Sequence, residues 1–82
     1  MLILMPVELT LRFFTVHEAG EWLATRGHSM PGGQRIEYKL FVNYFPMLRR
    51  RGLQPLRFGR SWVIPESELV KLEQLWRDIT AS

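Results

Sequence analysis

Leu48 to Pro65 reads LRRRGLQPLRFGRSWVIP, and the way this stretch folds decides how the rest of the chain is arranged. Arg49, Arg50 and Arg51 sit at the end of a helical pattern, and Gly52 is the residue type that stops a helix. LQPLRF, GRS and WVI then read as two short strands about a glycine-led turn, a β-hairpin. A helix end and a hairpin, both edged with arginine and adjacent in the chain, make a surface shaped to straddle a phosphate backbone. The triplet has a second physical reason to be there, because cations at a helix C-terminus also complement the macrodipole.

The hairpin admits two registers. With a two-residue loop at Gly59 and Arg60, Trp62 shares a face with Arg57 and lies opposite Phe58. With a three-residue loop from Gly59 to Ser61, Leu56, Phe58, Trp62 and Ile64 all share one face. Glycine leading a type II′ turn favours the first, while burial of four large side chains favours the second. The expectation taken here is the three-residue loop, with Arg57 and Val63 outward and Arg60 at the tip.

Charge is segregated along the chain. Residues 1–25 set Arg12 against Glu8, Glu18 and Glu21 for a net −2, and residues 61–82 set Lys71 and Arg77 against Glu66, Glu68, Glu73 and Asp78, again −2. Between them eight cations (Arg26, Arg35, Lys39, Arg49, Arg50, Arg51, Arg57, Arg60) face only Glu37, a net +7 within a chain of +3. Such a block is the footprint of a polyanionic partner.

Upstream, VELTLRF over residues 7–13 alternates with period two, placing Val7, Leu9, Leu11 and Phe13 on one side of a half-buried strand. It is expected to complete a three-stranded sheet with the hairpin, with pairing to a second chain as the alternative. T-V-H-E from Thr15 has the spacing of a capping box and opens a helix to about Arg26, with Val16, Ala19, Gly20 and Leu23 on the inner face and Trp22 beside them. GHSMPGG (27–33) is a loop by composition. It lacks the lysine and Ser/Thr of a phosphate loop, and His17 and His28, with no cysteine in the chain, do not form a metal set.

A helical period returns over 34–51. Ile36, Leu40, Phe41, Tyr44, Met47 and Leu48 gather inward, and Arg35, Lys39, Asn43, Arg49 and Arg50 outward, with Val42 out of place among them. Pro46 removes the amide that would bond the Val42 carbonyl, so the helix either kinks there or ends near Asn43 and restarts with Pro46 at its first position. A last helix is expected to start at or near Pro65 and to present Leu69, Leu72, Leu75, Trp76 and Ile79, with Val70 at the margin.

The whole chain, 1–82, reads as one domain. Its 46% hydrophobic content supports a real core, and zero cysteines suit a reducing compartment. MLILMPV has no basic n-region, and no uncharged run approaches the roughly 18 residues of a membrane span. The expectation is a soluble, cytoplasmic protein with no membrane partner and no cofactor.

TVHEAGEWL, RRG and PLRFGRSWVIPESEL resemble the excisionase and MerR-like winged helix-turn-helix domains. The capped helix follows T-x-x-E-A-x-x-x-L, the wing follows P-x-R-x-G-R-x-W-x-I-P, and the final helix opens as E-x-x-L. The wing carries the specific part of the match. Between Leu23 and Arg49 the chain departs from that family's short turn and short helix. The resemblance implies an α+β winged helix-turn-helix: three helices with a small antiparallel sheet, made of the wing hairpin and the N-terminal strand. It further implies that the second helix enters the major groove and that the wing, 55–64, grips the adjacent backbone or minor groove. Only Arg57 and Arg60 carry over position by position.

The residues themselves divide into two sets. Arg49, Arg50, Arg57 and Arg60 suit phosphates. Gln34, Arg35, Tyr38, Lys39 and Asn43 supply base-edge donors and acceptors, since Arg and Lys suit guanine while Asn and Gln suit adenine. The function expected is sequence-specific binding of double-stranded DNA, by a transcriptional regulator or an excisionase-type recombination directionality factor. It would work as a homodimer or cooperative array, with a recombinase or RNA polymerase as further partner. The alternative is an antitoxin-like or adaptor module whose basic face meets an acidic protein. No nucleophile and base, paired carboxylates or metal set at useful spacing points to an enzyme.

Overall fold

In the computed structural model, which describes residues 12–81, Thr15 stands at a junction. It is the last residue of strand β1 (Phe13–Thr15) and the N-cap of helix α1 (Val16–Thr25). Its hydroxyl accepts from the Glu18 amide at 3.1 Å, and Glu18 Oε1 accepts from the Thr15 amide at 3.0 Å. The capping box satisfies two amides that the helix itself leaves unbonded. Ala19, Gly20 and Leu23 are buried along the inner face of α1, as the periodicity requires.

The strand expected over 7–13 meets the described residues only at its end, residues 7–11 lying outside them. The pairing observed begins at Phe13 and runs to Thr15. Its partner strand β3 (Ser61–Pro65) finishes opposite Phe13, and one further bond runs from the Glu66 amide to the Arg12 carbonyl at 2.9 Å.

The helix expected over 34–51 is corrected in two respects. Gln34 to Glu37 are not helical: Glu37 is extended, with φ −120° and ψ 143°, and serves as N-cap. The helix proper starts as α2 (Tyr38–Phe41), tightens into a 3₁₀ turn at Val42–Tyr44, and resumes as α3 (Phe45–Arg50), with Pro46 second rather than first. The missing amide of Pro46 is the cause, because a proline is tolerated only where the preceding turn does not need its N–H. Val42, out of place on a regular wheel, is half-buried here. Gly52, at φ +114°, then closes α3, and the Leu53 amide bonds back to the Leu48 carbonyl at 3.0 Å.

The hairpin corrects the register. Strand β2 (Leu56–Phe58) pairs with β3 as Leu56↔Val63, Arg57↔Trp62 and Phe58↔Ser61, so the loop is the two residues Gly59 and Arg60. Gly59 has φ +59° while Arg60 does not have a positive φ, the pattern that puts glycine first in the turn. Turn geometry outweighed burial because the burial was not there to be had. The sheet order is β1-β3-β2, so β2 is an edge strand, and Leu56 and Phe58 remain 45% and 58% exposed. The central strand reaches the core through Ile64, which is fully buried, and β1 through Phe14, partly buried against it.

The architecture is α+β, with helices packed on one face of a three-stranded antiparallel sheet. Pro65 is extended, the last residue of β3, and a 3₁₀ turn at Glu66–Glu68 leads into α4 (Leu69–Ala81), so the final helix begins just after the proline. Leu69, Leu72, Trp76 and Ile79 of α4 are buried. Trp76 is the hub: its ring meets Phe41 at 5.3 Å and Tyr44 edge-on at 5.4 Å, and its Nε1 donates to the Ser29 carbonyl at 2.8 Å. Among the described residues no helix is long and apolar enough to cross a membrane.

Helix α1 meets α2 where Gly20 faces Phe41. A β-carbon on Gly20 would stand 3.1 Å from Phe41 Cδ1, and Phe41, fully buried against Trp76, has no room to yield. Gly20→Val is therefore expected to destabilise the fold by about 1–3 kcal/mol through overpacking, read as a lower urea midpoint with unchanged slope.

Candidate nucleic-acid interface

Trp62 lies where the end of α3 meets the hairpin. Its side chain shares a face with Ile64 and packs on Phe45, ring centroids 5.9 Å apart. Over the same ring stand two guanidinium groups from different elements. Arg49, in the last turn of α3, has its Cζ 4.1 Å from the ring centroid, and Arg57, the cross-strand partner of Trp62, stands at 5.1 Å. Arg57 Nε also donates to the Gly59 carbonyl at 3.3 Å, joining it to the turn. Each stacking contact is worth about 0.5–1 kcal/mol at an exposed site. Their larger consequence is to hold two cations in place, neither of them ion-paired to a carboxylate among the described residues.

Among the described residues the ion pairs join His17 to Glu21, Arg26, His28 and Arg77 to Glu73, and Lys71 to Glu68. None involves Arg35, Lys39, Arg49, Arg50, Arg57 or Arg60. Arg49 and Arg50 border an open cleft of about 560 Å³ that Gln54 and Trp62 also line. A second groove, of about 300 Å³, has Trp62 in common with the first and is lined by Arg60, Phe45, His17 and Tyr38. Tyr38 is 49% exposed and stacks on His17, with centroids 5.2 Å apart and planes 19° from parallel. Arg49, Arg50, Arg57, Arg60 and Tyr38 thus gather around one tryptophan.

The remaining candidates are spread differently. Lys39 and Asn43 are exposed on α2 and the 3₁₀ turn and line neither groove at Trp62. Arg35 and Gln34 lie in the extended segment before α2 rather than on a helix face. Arg35 borders a third groove, about 320 Å³, with Glu21, Thr25 and Ile36. Gln34 gives its carbonyl to the Met30 amide at 2.7 Å, closing the loop. Two participants escape a reading of residue types: Trp62 as the platform for both arginines, and His17 as the base of the Tyr38 stack. The signal for Trp62 was the alternative hairpin register, which sets it directly across from Arg57.

One cation of the basic block is engaged elsewhere. Glu73 on α4, only 8% exposed, accepts from Arg26 Nε at 2.5 Å and Nη2 at 3.1 Å, bonds His28 Nε2 at 2.8 Å, and has Arg77 at 3.5 Å. This cluster fastens the end of α1 and the start of the following loop to α4. Among the described residues no group of three or more His, Cys, Asp and Glu could hold a metal ion.

The hydrogen bonds from Arg26, and after them those from His28, hold the Glu73 carboxyl down at about 2 against an ordinary 4.5. A carboxyl whose folded pKa is depressed contributes stability that is complete above its unfolded pKa and lost as pH falls through the folded one. The thermal midpoint is therefore expected to drop between about pH 4.5 and 2. Glu73→Gln should lower the midpoint at neutral pH and flatten that acid limb, as followed by circular dichroism. No family model matches the chain, and comparison with curated proteins and with solved structures finds no match either.

Proposed function

We propose that this chain is a winged helix-turn-helix protein that binds double-stranded DNA, with α3 and the β2–β3 hairpin as the two parts of its binding surface. The observation that carries the reading is the convergence of Arg49 and Arg57 over Trp62, without carboxylate partners among the described residues, beside Arg50 and Arg60. A helix end and a hairpin that present fixed cations from two directions suit the two walls of a groove, where phosphates set affinity and register. Tyr38, Lys39 and Asn43 are exposed on the helical segment that leads into α3, and their side chains provide the base-edge contacts. The extended Gln34 and Arg35 are better suited to the flanking backbone than to a groove floor.

This reading is that of a transcriptional regulator or an excisionase-type directionality factor acting in the cytoplasm. A recombinase or RNA polymerase would be its neighbour on DNA. A single module of this size covers about 600–1,000 Å² of DNA-facing surface, so useful specificity calls for two or more copies on repeated sites.

A gel-shift series with genomic fragments tests the proposal. Four to five phosphate contacts give a log–log salt slope between about −3.5 and −4.5. Replacing Arg57 and Arg60 by alanine should weaken binding to all sequences alike and lessen the slope by about 2, whereas Lys39→Ala or Asn43→Ala should change which sequence is preferred. Trp62→Leu should weaken binding without touching a phosphate, because Arg49 and Arg57 lose their shared platform. A flat salt dependence, together with a stoichiometric protein partner that survives nuclease, would replace this reading with that of a protein-interaction module.

A further inference from the structure

The register that turns Arg57 toward Trp62 turns its neighbours the other way. Leu56, Phe58, Val63, Pro65 and Phe13 share the outer face of the sheet. Phe13, Leu56 and Phe58 are 39%, 45% and 58% exposed, and the rings of Phe13 and Phe58 meet edge to face at 5.8 Å. Thr15 and Ser61 border this apolar surface, and among the described residues the paired positions of the face, which lies away from Arg49 and Arg57, include no cation.

We propose that this outer face is a self-contact, on which two copies of the chain pack sheet to sheet when both are held on one duplex. Two arguments select a second copy as occupant. The first is area. Taking a whole aromatic side chain as roughly 150–250 Å², the three most exposed residues present on the order of 300 Å², well short of the roughly 800 Å² per partner of a stable free complex. A partner using this face must be brought close by something else. On the DNA-binding reading, on which the proposal rests, a neighbouring copy is brought close by the duplex itself, which can strengthen a weak contact by about 10²-fold or more. The second is charge. Two chains of net +3 repel one another least through a face from which the arginines of the hairpin are turned away.

The chain contains no cysteine, so Ser61→Cys, exposed on the same face directly across from Phe58, introduces a unique thiol beside the contact and leaves Phe13, Leu56 and Phe58 in place. Under mild oxidation at about 1 μM protein, the disulfide-linked dimer is expected to form at least ~10-fold faster on a duplex long enough for two copies than on one that holds a single copy. Thr25→Cys, exposed on α1, should show no such difference. The double variant Leu56→Ser with Phe58→Ser, its fold checked by circular dichroism, should bind a single site within about twofold of the parent and lose cooperative filling of two adjacent sites. Cooperativity retained in that variant, or no cross-link while two copies occupy the duplex, overturns the self-contact. If the protein binds no duplex at all, the DNA reading has failed, and the self-contact is judged on the free Ser61→Cys protein at about 1 mM, where absence of cross-linking overturns it too. Cross-linking that appears in the free protein only after residues 1–11 are removed means that the chain's own beginning covers the face, and likewise overturns it.

Discussion

The arrangement depends on a two-residue turn. Glycine at position 59 lets the backbone reverse between Phe58 and Ser61 with one positive φ, and that single reversal settles which side every hairpin residue occupies. One residue more in the loop would have put Arg57 on the solvent side and left Trp62 without its second guanidinium. As built, the hairpin has a cationic side against α3 and an apolar side away from it. The separation of charge from apolar surface, visible along the chain only as a block of arginines, becomes in three dimensions a separation between the two faces of one small sheet.

A second constraint holds the other half of the molecule. Trp76 and Glu73 lie three positions apart on α4, one inside the core and one at its rim. Trp76 receives Phe41 and Tyr44 and bonds the carbonyl of Ser29; Glu73 gathers Arg26 and His28. Together they fasten both ends of the Arg26–Ser29 segment and the middle of the broken helix, at Phe41 and Tyr44, to the same turn of α4. The long crossing between α1 and α2, which could have been a loose insertion, is therefore anchored at its beginning to α4. Arg26, counted among the cations available to a polyanion, is withdrawn from that role by the same anchoring.

What could be read from residues alone follows how local the cause was. The capping box at Thr15 and Glu18, the inner face of α1, and the stripe of α4 rest on spacings of three and four, and each lies where the pattern put it. The break at Pro46 was legible as a break, but its form was not, because a 3₁₀ turn differs from a kink by one hydrogen bond. The start of the helix at Tyr38 was missed because Gln34, Arg35 and Ile36 fit a helical wheel, while the Gln34 carbonyl is taken by the Met30 amide in closing the preceding loop. The hairpin register failed for a different reason. Burial was credited to Leu56 and Phe58 without knowing that β2 is an edge strand, and only the sheet order could say that. At the interface, the four arginines 49, 50, 57 and 60 come together, whereas Gln34 and Arg35 were assigned to a helix that does not contain them.

The two fasteners of the α1 end have a consequence for how the chain finds this fold. Arg26 and Glu73 are 47 positions apart, His28 and Glu73 are 45, and Ser29 and Trp76 are 47. The rungs that join β1 to β3 span a similar stretch, from Thr15 at Val63 to Phe13 at Pro65. Bringing together segments so far apart costs loop-closure entropy that grows only with the logarithm of the span. Here nearly the same closure serves both the sheet and the ionic cluster. Whichever forms first shortens the search for the other, so the N-terminal strand and helix dock as one unit onto a hairpin and α4 that are already neighbours in sequence. In kinetic language, the slow, non-local step of folding occurs once, and the stacking of Arg49 and Arg57 on Trp62, all within residues 49–62, does not have to wait for it.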